Sequence, residues 1–345
     1  MITSRGSAAG AECCAEDKRC LNQGDGVAAM DRSRPVFSFL MEQPPVRSRL
    51  LLVAAAVLFS TGGAAIKLAA LTAWQVASFR SAVAALALLI ALPETRRGWS
   101  ARMIPAGAAY AATLLFFVLA TRLTTGANAI FLQDTAPLYL LFLGPWLLHE
   151  PIHKRDLISV LALGAGVALI LTGGAPAAAT APDPARGNAL GVASGLMWAL
   201  TVTSLRWVGR EPRGAGIAVV AIGNIFCCLA ALPMAFPVTG GSLSSLAVIL
   251  YLGVIQIGLA YVLVTRALRH VTAFEATAIL LLEPALNPLW TWLAHGERPA
   301  PRALAGGAVI IFTTLGGAWR QSRSPAPAQP GLTENKCKSS RDVTE

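Results

Sequence analysis

Apolar residues in this chain come in blocks of about twenty, the length a helix needs to cross the hydrocarbon core of a bilayer. Ten such blocks are legible, at 50–70, 73–92, 103–120, 126–148, 156–173, 188–205, 215–235, 245–264, 273–294 and 303–319. In lipid every backbone N–H and C=O must find its partner within the protein, and a helix meets that demand inside a single segment. The sequence therefore predicts an all-α integral membrane protein with ten transmembrane helices and the lipid bilayer as its first partner. A soluble fold is excluded by the balance of 55% hydrophobic against 13% charged residues. The net charge of +10 does not indicate nucleic acid, because the basic residues fall between apolar blocks instead of forming one face.

Their placement sets the orientation. Taking alternate connecting segments and tails from the N-terminus, one side of the membrane receives 22 Lys and Arg and the other 4; with both tails removed the loops alone give 10 against 4. Positive charge accumulates on the cytoplasmic side. Both termini are thus expected in the cytoplasm, with the protein multi-pass in the cell (inner) membrane. Residues 1–49 read as a disordered cytoplasmic tail without a signal peptide, residues 174–187 as an external linker and residues 320–345 as a second disordered tail. Met30 and Met41 precede the first block and offer later starts.

The chain repeats itself. At an offset of 147, residues 120–157 align without gaps to 267–304, with identities that include Ala120/Ala267, Arg122/Arg269, Thr125/Thr272, Pro137/Pro284, Glu150/Glu297 and Leu157/Leu304. Five predicted spans separate the copies, and five is odd, so the second copy enters the membrane inverted. The expected plan is two inverted five-helix repeats, 50–173 and 188–319, as in many secondary transporters. In such folds binding sites lie where helices are interrupted at matching positions. Pro137 and Pro284 match, and Pro288 follows one turn later; each removes a backbone donor. These three are the expected helix-break positions, although a proline can also serve only to kink a packed helix.

Ionisable groups within a span are costly and face the bundle interior, which makes them functional candidates. Lys67, Arg80, Asp134 and Glu283 qualify. At ~1.5 Å per residue, Arg80 and Asp134 both lie roughly 10–12 Å below the external surface and can pair, whereas Glu283 lies near ~16 Å, close to the midplane. Glu283 is a candidate for binding an ammonium group or a coupling proton. Lys67, near the external end of its span, either joins the substrate path or extends its amine to the interface. Asn287 and Tyr261 are polar groups that can line the same path or bond to a neighbouring helix. Glycine pairs at 62–63, 164/166, 306–307 and 316–317 read as close helix contacts.

No enzyme signature is present, and neither a cofactor nor a metal is expected. The four histidines sit at span ends, and His149 and His153 lack the context of a zinc motif. The six cysteines show no metal-ligand spacing and read as free thiols.

The stretches LFSTGGAAIKLAAL (58–71), FRSAVAALALL (79–89), FLQDTAP (131–137) with LLHE (147–150), and LLLEPALNPLWTWLAHGERP (280–299) resemble the EamA family of the drug/metabolite transporter superfamily. The last is the most specific, and the resemblance covers 50–320. It implies ten helices in two EamA repeats around a central cavity, and the export of amino acids, other metabolites or drugs. Family motif positions fall on Lys67, Arg80, Pro137, Glu150, Glu283, Pro284, Asn287, Pro288 and Glu297. Asp134 and His149 depart from the family pattern. The leading expectation is a secondary transporter, as monomer or homodimer, moving a small metabolite outward with protons as the candidate coupling ion. The alternative is a membrane sensor or scaffold that kept the fold without transport.

Overall fold

The computed structural model describes residues 44–96, 99–143, 154–173, 178–208, 215–238, 241–267 and 273–323. The expectations for most of both tails, for Cys13, Cys14, Cys20 and Cys337, and for His149, Glu150 and His153 lie outside these residues. Among the described residues the secondary structure is helical, with one isolated bridge between Ala178 and Ala181. The first half contains α1 (Pro44–Ser60), α2 (Gly62–Leu68), α3 (Ala73–Ala91), α4 (Met103–Leu123), α5 (Gly126–Gln133), α6 (Ala136–Leu143) and α7 (Lys154–Thr172). The second contains α8 (Pro184–Val208), α9 (Ala215–Ala231), α10 (Leu243–Leu250), a π-helical stretch at Tyr251–Leu259, α11 (Ala260–Ala267), α12 (Ala273–Leu280), α13 (Leu282–His295) and α14 (Pro301–Arg323).

Local chemistry starts and stops these helices. Thr72 and Gln75 form a reciprocal capping box at the start of α3, and Thr125 and Ser242 accept backbone N–H bonds as N-caps of α5 and α10. α8 and α14 begin with Pro184 and Pro301, where a missing N–H costs nothing. Gly296 closes α13 in the left-handed conformation, at φ 68°.

Among the described residues six helical runs are long and apolar enough to cross a membrane: Val46–Leu68, Ala73–Ala91, Met103–Leu123, Pro184–Leu205, Gly216–Met234 and Leu243–Ala267; Leu157–Thr172 is a shorter apolar helix. Large apolar side chains such as Leu86, Ile90, Leu243 and Phe312 point outward, while Ser78, Ser81, Thr121, Ser194, Thr201 and Asn224 are buried. Lipid accounts for this arrangement. Where the surroundings are as apolar as leucine, helices associate through small residues and internal hydrogen bonds, not through burial of oily side chains.

The close contacts repeat across the two halves. The glycines at 187, 191 and 195, one helical turn apart on α8, lie against the α4–α5 turn and α5, where a Cβ would come within 2.6 Å of Thr124 N, 3.0 Å of Leu132 Cβ and 2.7 Å of Leu132 O respectively. Gly63 of α2 lies in the same way against Asn287 of α13. Gly107 of α4 meets Ile222 of α9, and Gly253 of the π stretch meets Val83 of α3. α7 and α14 cross at Gly166 and Gly306, where a Cβ on Gly306 would stand 2.5 Å from Gly166 O. α1 and α2 pack on α13 as α8 packs on α5 and α6, and α4 packs on α9 as the Tyr251–Leu259 stretch packs on α3. The two halves thus exchange partners in a matched way.

Candidate functional site

The two matched prolines do not sit at the breaks themselves. α5 stops at Gln133 and α6 starts at Ala136, so Pro137 is the second residue of a new helix; α12 stops at Leu280 and α13 starts at Leu282, so Pro284 lies in that helix's first turn. The interruptions fall at Asp134–Thr135 and at Leu281. Residues 134 and 281 are themselves 147 apart, so the breaks obey the repeat offset. Pro288 corrects the expectation of a third break: α13 runs through it to His295. Thr291 Oγ1 donates to Pro288 O at 3.1 Å and to Asn287 O at 3.4 Å, giving partners to carbonyls in that region.

The breaks carry the two carboxylates inward. Asp134 is the C-cap residue of α5 and Glu283 the second residue of α13, and Asp134 is near enough for its charge to be felt at Glu283. Asp134 and Arg80 form no ion pair, contrary to the pairing their depths suggested. Asp134 Oδ2 has no hydrogen-bond partner, nor do Nε and Nη2 of Arg80, which is 2% exposed. Similar depth counted along the chain does not by itself bring the two side chains together.

Near the cation lies a pair of tyrosines. Tyr110 of α4 donates its hydroxyl hydrogen bond to Tyr261 of α11 at 2.9 Å. Arg80 acts electrostatically on both phenols and on Cys227, and Glu283 acts on Tyr261. Tyr261 thus lies within reach of the positive group and of an acid. Phe59 meets Tyr261 edge to face at 5.2 Å between centroids, and Trp198 leans on Tyr110 at 6.3 Å. The interior presents one guanidinium, an aromatic wall and two carboxylates, drawn from α3, α4, α11, α13 and the α5–α6 junction.

Two of the expected path residues sit elsewhere. Lys67 is in the last turn of α2, and its amine donates to Thr124 O at 2.9 Å, to Thr180 O and to Glu297, with which it forms a buried ion pair. Neither side chain reaches solvent appreciably, so Lys67 does not extend to an interface. Asn287 is 1% exposed and lies between Gly63 and Gly126, with neither atom of its amide hydrogen-bonded. Among the described residues no three His, Cys, Asp or Glu side chains converge to hold a metal.

Tyr110 escaped the sequence reading. One of four tyrosines in the chain, it is a phenol in mid-span, and that was its only signal; at the repeat offset it faces Ile257, so symmetry gave no help. The hydrogen bond from Ser194 Oγ to Gln133 Oε1, 2.9 Å long, was equally hidden.

Helices with a lipid-facing apolar surface, small residues at their crossings, two repeats and polar groups gathered at matched breaks define a membrane transporter of the inverted-repeat kind. The sequence profile of the EamA-like transporter family matches residues 47–172 and again 185–316. The chain belongs to that family, within the drug/metabolite transporter superfamily. No curated protein matches it. A solved structure titled only as the crystal structure of a protein is similar over 81% of this chain and all of its own length, at 18% identity and a TM-score of 0.54, which bears on the fold alone.

Proposed function

We propose that this chain is a secondary exporter of a small metabolite with an amino acid's kind of polarity, working by alternating access of ten spans with both termini in the cytoplasm. The observation that carries the reading is the mixed polarity of the interior: a buried Arg80 guanidinium whose Nε and Nη2 have no hydrogen-bond partner lies near the Tyr110–Tyr261 pair, and Glu283 lies near Tyr261 and Asp134. A carboxylate suits the first pole, and an ammonium group or a coupling proton suits the second. Burying these charges without ion-pair partners costs stability, and a ligand that supplies the missing charge recovers it. The inverted repeat provides the movement, one repeat rocking against the other about the interrupted helices.

The test is flux. Purified protein in liposomes loaded with an amino-acid mixture should show counterflow or pH-gradient-driven movement of at least one component. Absence of movement under both conditions sinks the proposal, and ligand-dependent thermal stabilisation without flux would favour a sensor instead.

A further inference from the structure

The strongest polar construction outside this interior lies at one end of the bundle, the end that the charge distribution assigns to the outside. Lys67, at the end of α2, is held there by the carbonyls of Thr124 and Thr180 and by the Glu297 carboxylate. The other oxygen of Glu297 accepts the N–H of Gly126, the first residue of α5, at 3.0 Å. Glu297 reaches this place because Gly296, in the left-handed conformation, turns the chain back at the end of α13. Segments from the first repeat, the linker and the second repeat thus meet on one ion pair whose side chains are 4% and 3% exposed. Within this cluster Lys67, Thr124 and Gly126 belong to the first repeat and Glu297 to the second, so the ion pair bridges the two repeats.

α2 continues α1 after one turn residue, within the helical run Val46–Leu68. It is only seven residues long and is separated from α1 at Thr61. The two glycines that follow, Gly62 and Gly63, lie directly against the amides of Gln256 and Asn287. Gln256 Nε2 donates to Phe59 O at 3.3 Å, while Gln256 Oε1 and both Asn287 amide atoms have no partner. A hinge at this point exposes backbone N–H and C=O groups as it bends. Buried amides with spare donors and acceptors can take them up.

We infer that Lys67 and Glu297 form the outer gate of the transporter, an ion pair that seals the external end while the interior is reached from the cytoplasm, and that α2 swings on Gly62–Gly63 when the pair parts. This assigns Lys67 to gating and not to substrate. It rests on the alternating-access reading and on the orientation given above.

The test needs no substrate. A reporter cysteine, Asp134→Cys, is placed in a background whose six native cysteines are replaced, and is labelled with a membrane-impermeant maleimide in right-side-out and in inverted vesicles. Lys67→Ala and Glu297→Ala should each raise the external labelling rate about tenfold and lower the cytoplasmic rate, because breaking the gate shifts the population toward the outward-open state. Where an alanine variant does not give monodisperse protein, Glu297→Gln replaces it, keeping the shape and the bond to Gly126 while removing the charge. Rates unchanged on both faces, or raised on both together, overturn the gate; a reciprocal change of opposite sign overturns its placement on the outer face. Failure of the liposome flux with reciprocal labelling intact would sink the transport reading and leave the gate standing.

Discussion

Gly195 is where a single methyl group should do most damage. It sits on α8 against the interruption between α5 and α6, and a Cβ there would stand 2.7 Å from Leu132 O, 2.8 Å from Thr135 Oγ1 and 3.0 Å from Gln133 O. Ordinary contact begins at about 3.4 Å, so these atoms must withdraw by roughly half an ångström, and two of the three belong to the backbone. Overpacking of this kind costs about 1–3 kcal/mol, while alanine in a helix interior gains about 1 kcal/mol over glycine. Gly164→Ala in α7 is the matched control, since nothing lies within 4 Å of the added Cβ; it should collect the gain without the clash. The difference between the two variants isolates the clash term, and it should appear as an apparent Tm several degrees lower for Gly195→Ala in detergent at one fixed scan rate. A Gly195→Ala protein that melts at or above Gly164→Ala would refute the close packing of α8 on the helix break.

Tyr110→Phe removes the hydroxyl bond to Tyr261, worth about 1 kcal/mol, and should lower transport turnover while the protein remains monodisperse; unchanged turnover would remove the tyrosine pair from the path. Glu283→Gln should abolish any dependence of flux on a pH gradient, and a mutant whose pH dependence matches the parent's would transfer that role to another group. Gly296→Ala forces an L side chain into left-handed backbone at a cost of about 1–2 kcal/mol; it should lower Tm and, by displacing Glu297, raise external labelling of the interior cysteine. Labelling equal to the parent's would separate that turn from the gate.

The extent of the apolar blocks, their helical character and the duplication were legible in the sequence because each is a local or one-dimensional property. A block of twenty apolar residues is helical in lipid whatever lies beside it, and the offset of 147 survives as matched letters. Pro137 and Pro284 were found in this way, and the structure places the interruptions three residues earlier, at Asp134 and Leu281. Break position depends on which carbonyls the neighbours can satisfy, and Gly195 on a different helix cradles the first. The turn at Thr61 and the π-helical stretch at Tyr251–Leu259 likewise have no one-dimensional mark beyond scattered glycines.

Partner choice was decided by the tertiary structure alone. Depth along a helix could be counted from the sequence, so Arg80 and Asp134 came out level. Level residues meet only if their helices are rotated to face each other, and that rotation is set by glycine crossings such as Gly107 on Ile222 and Gly253 on Val83. The structure instead leaves Arg80 near two phenols, leaves Asp134 Oδ2 without a hydrogen-bond partner, and joins Lys67 to Glu297, 230 positions along the chain. A membrane frame, a duplicated plan and the few charges that must face inward are therefore written along the chain. Which of those charges meet was left to the packing, because in a bilayer the energy of a buried charge depends almost wholly on the group beside it.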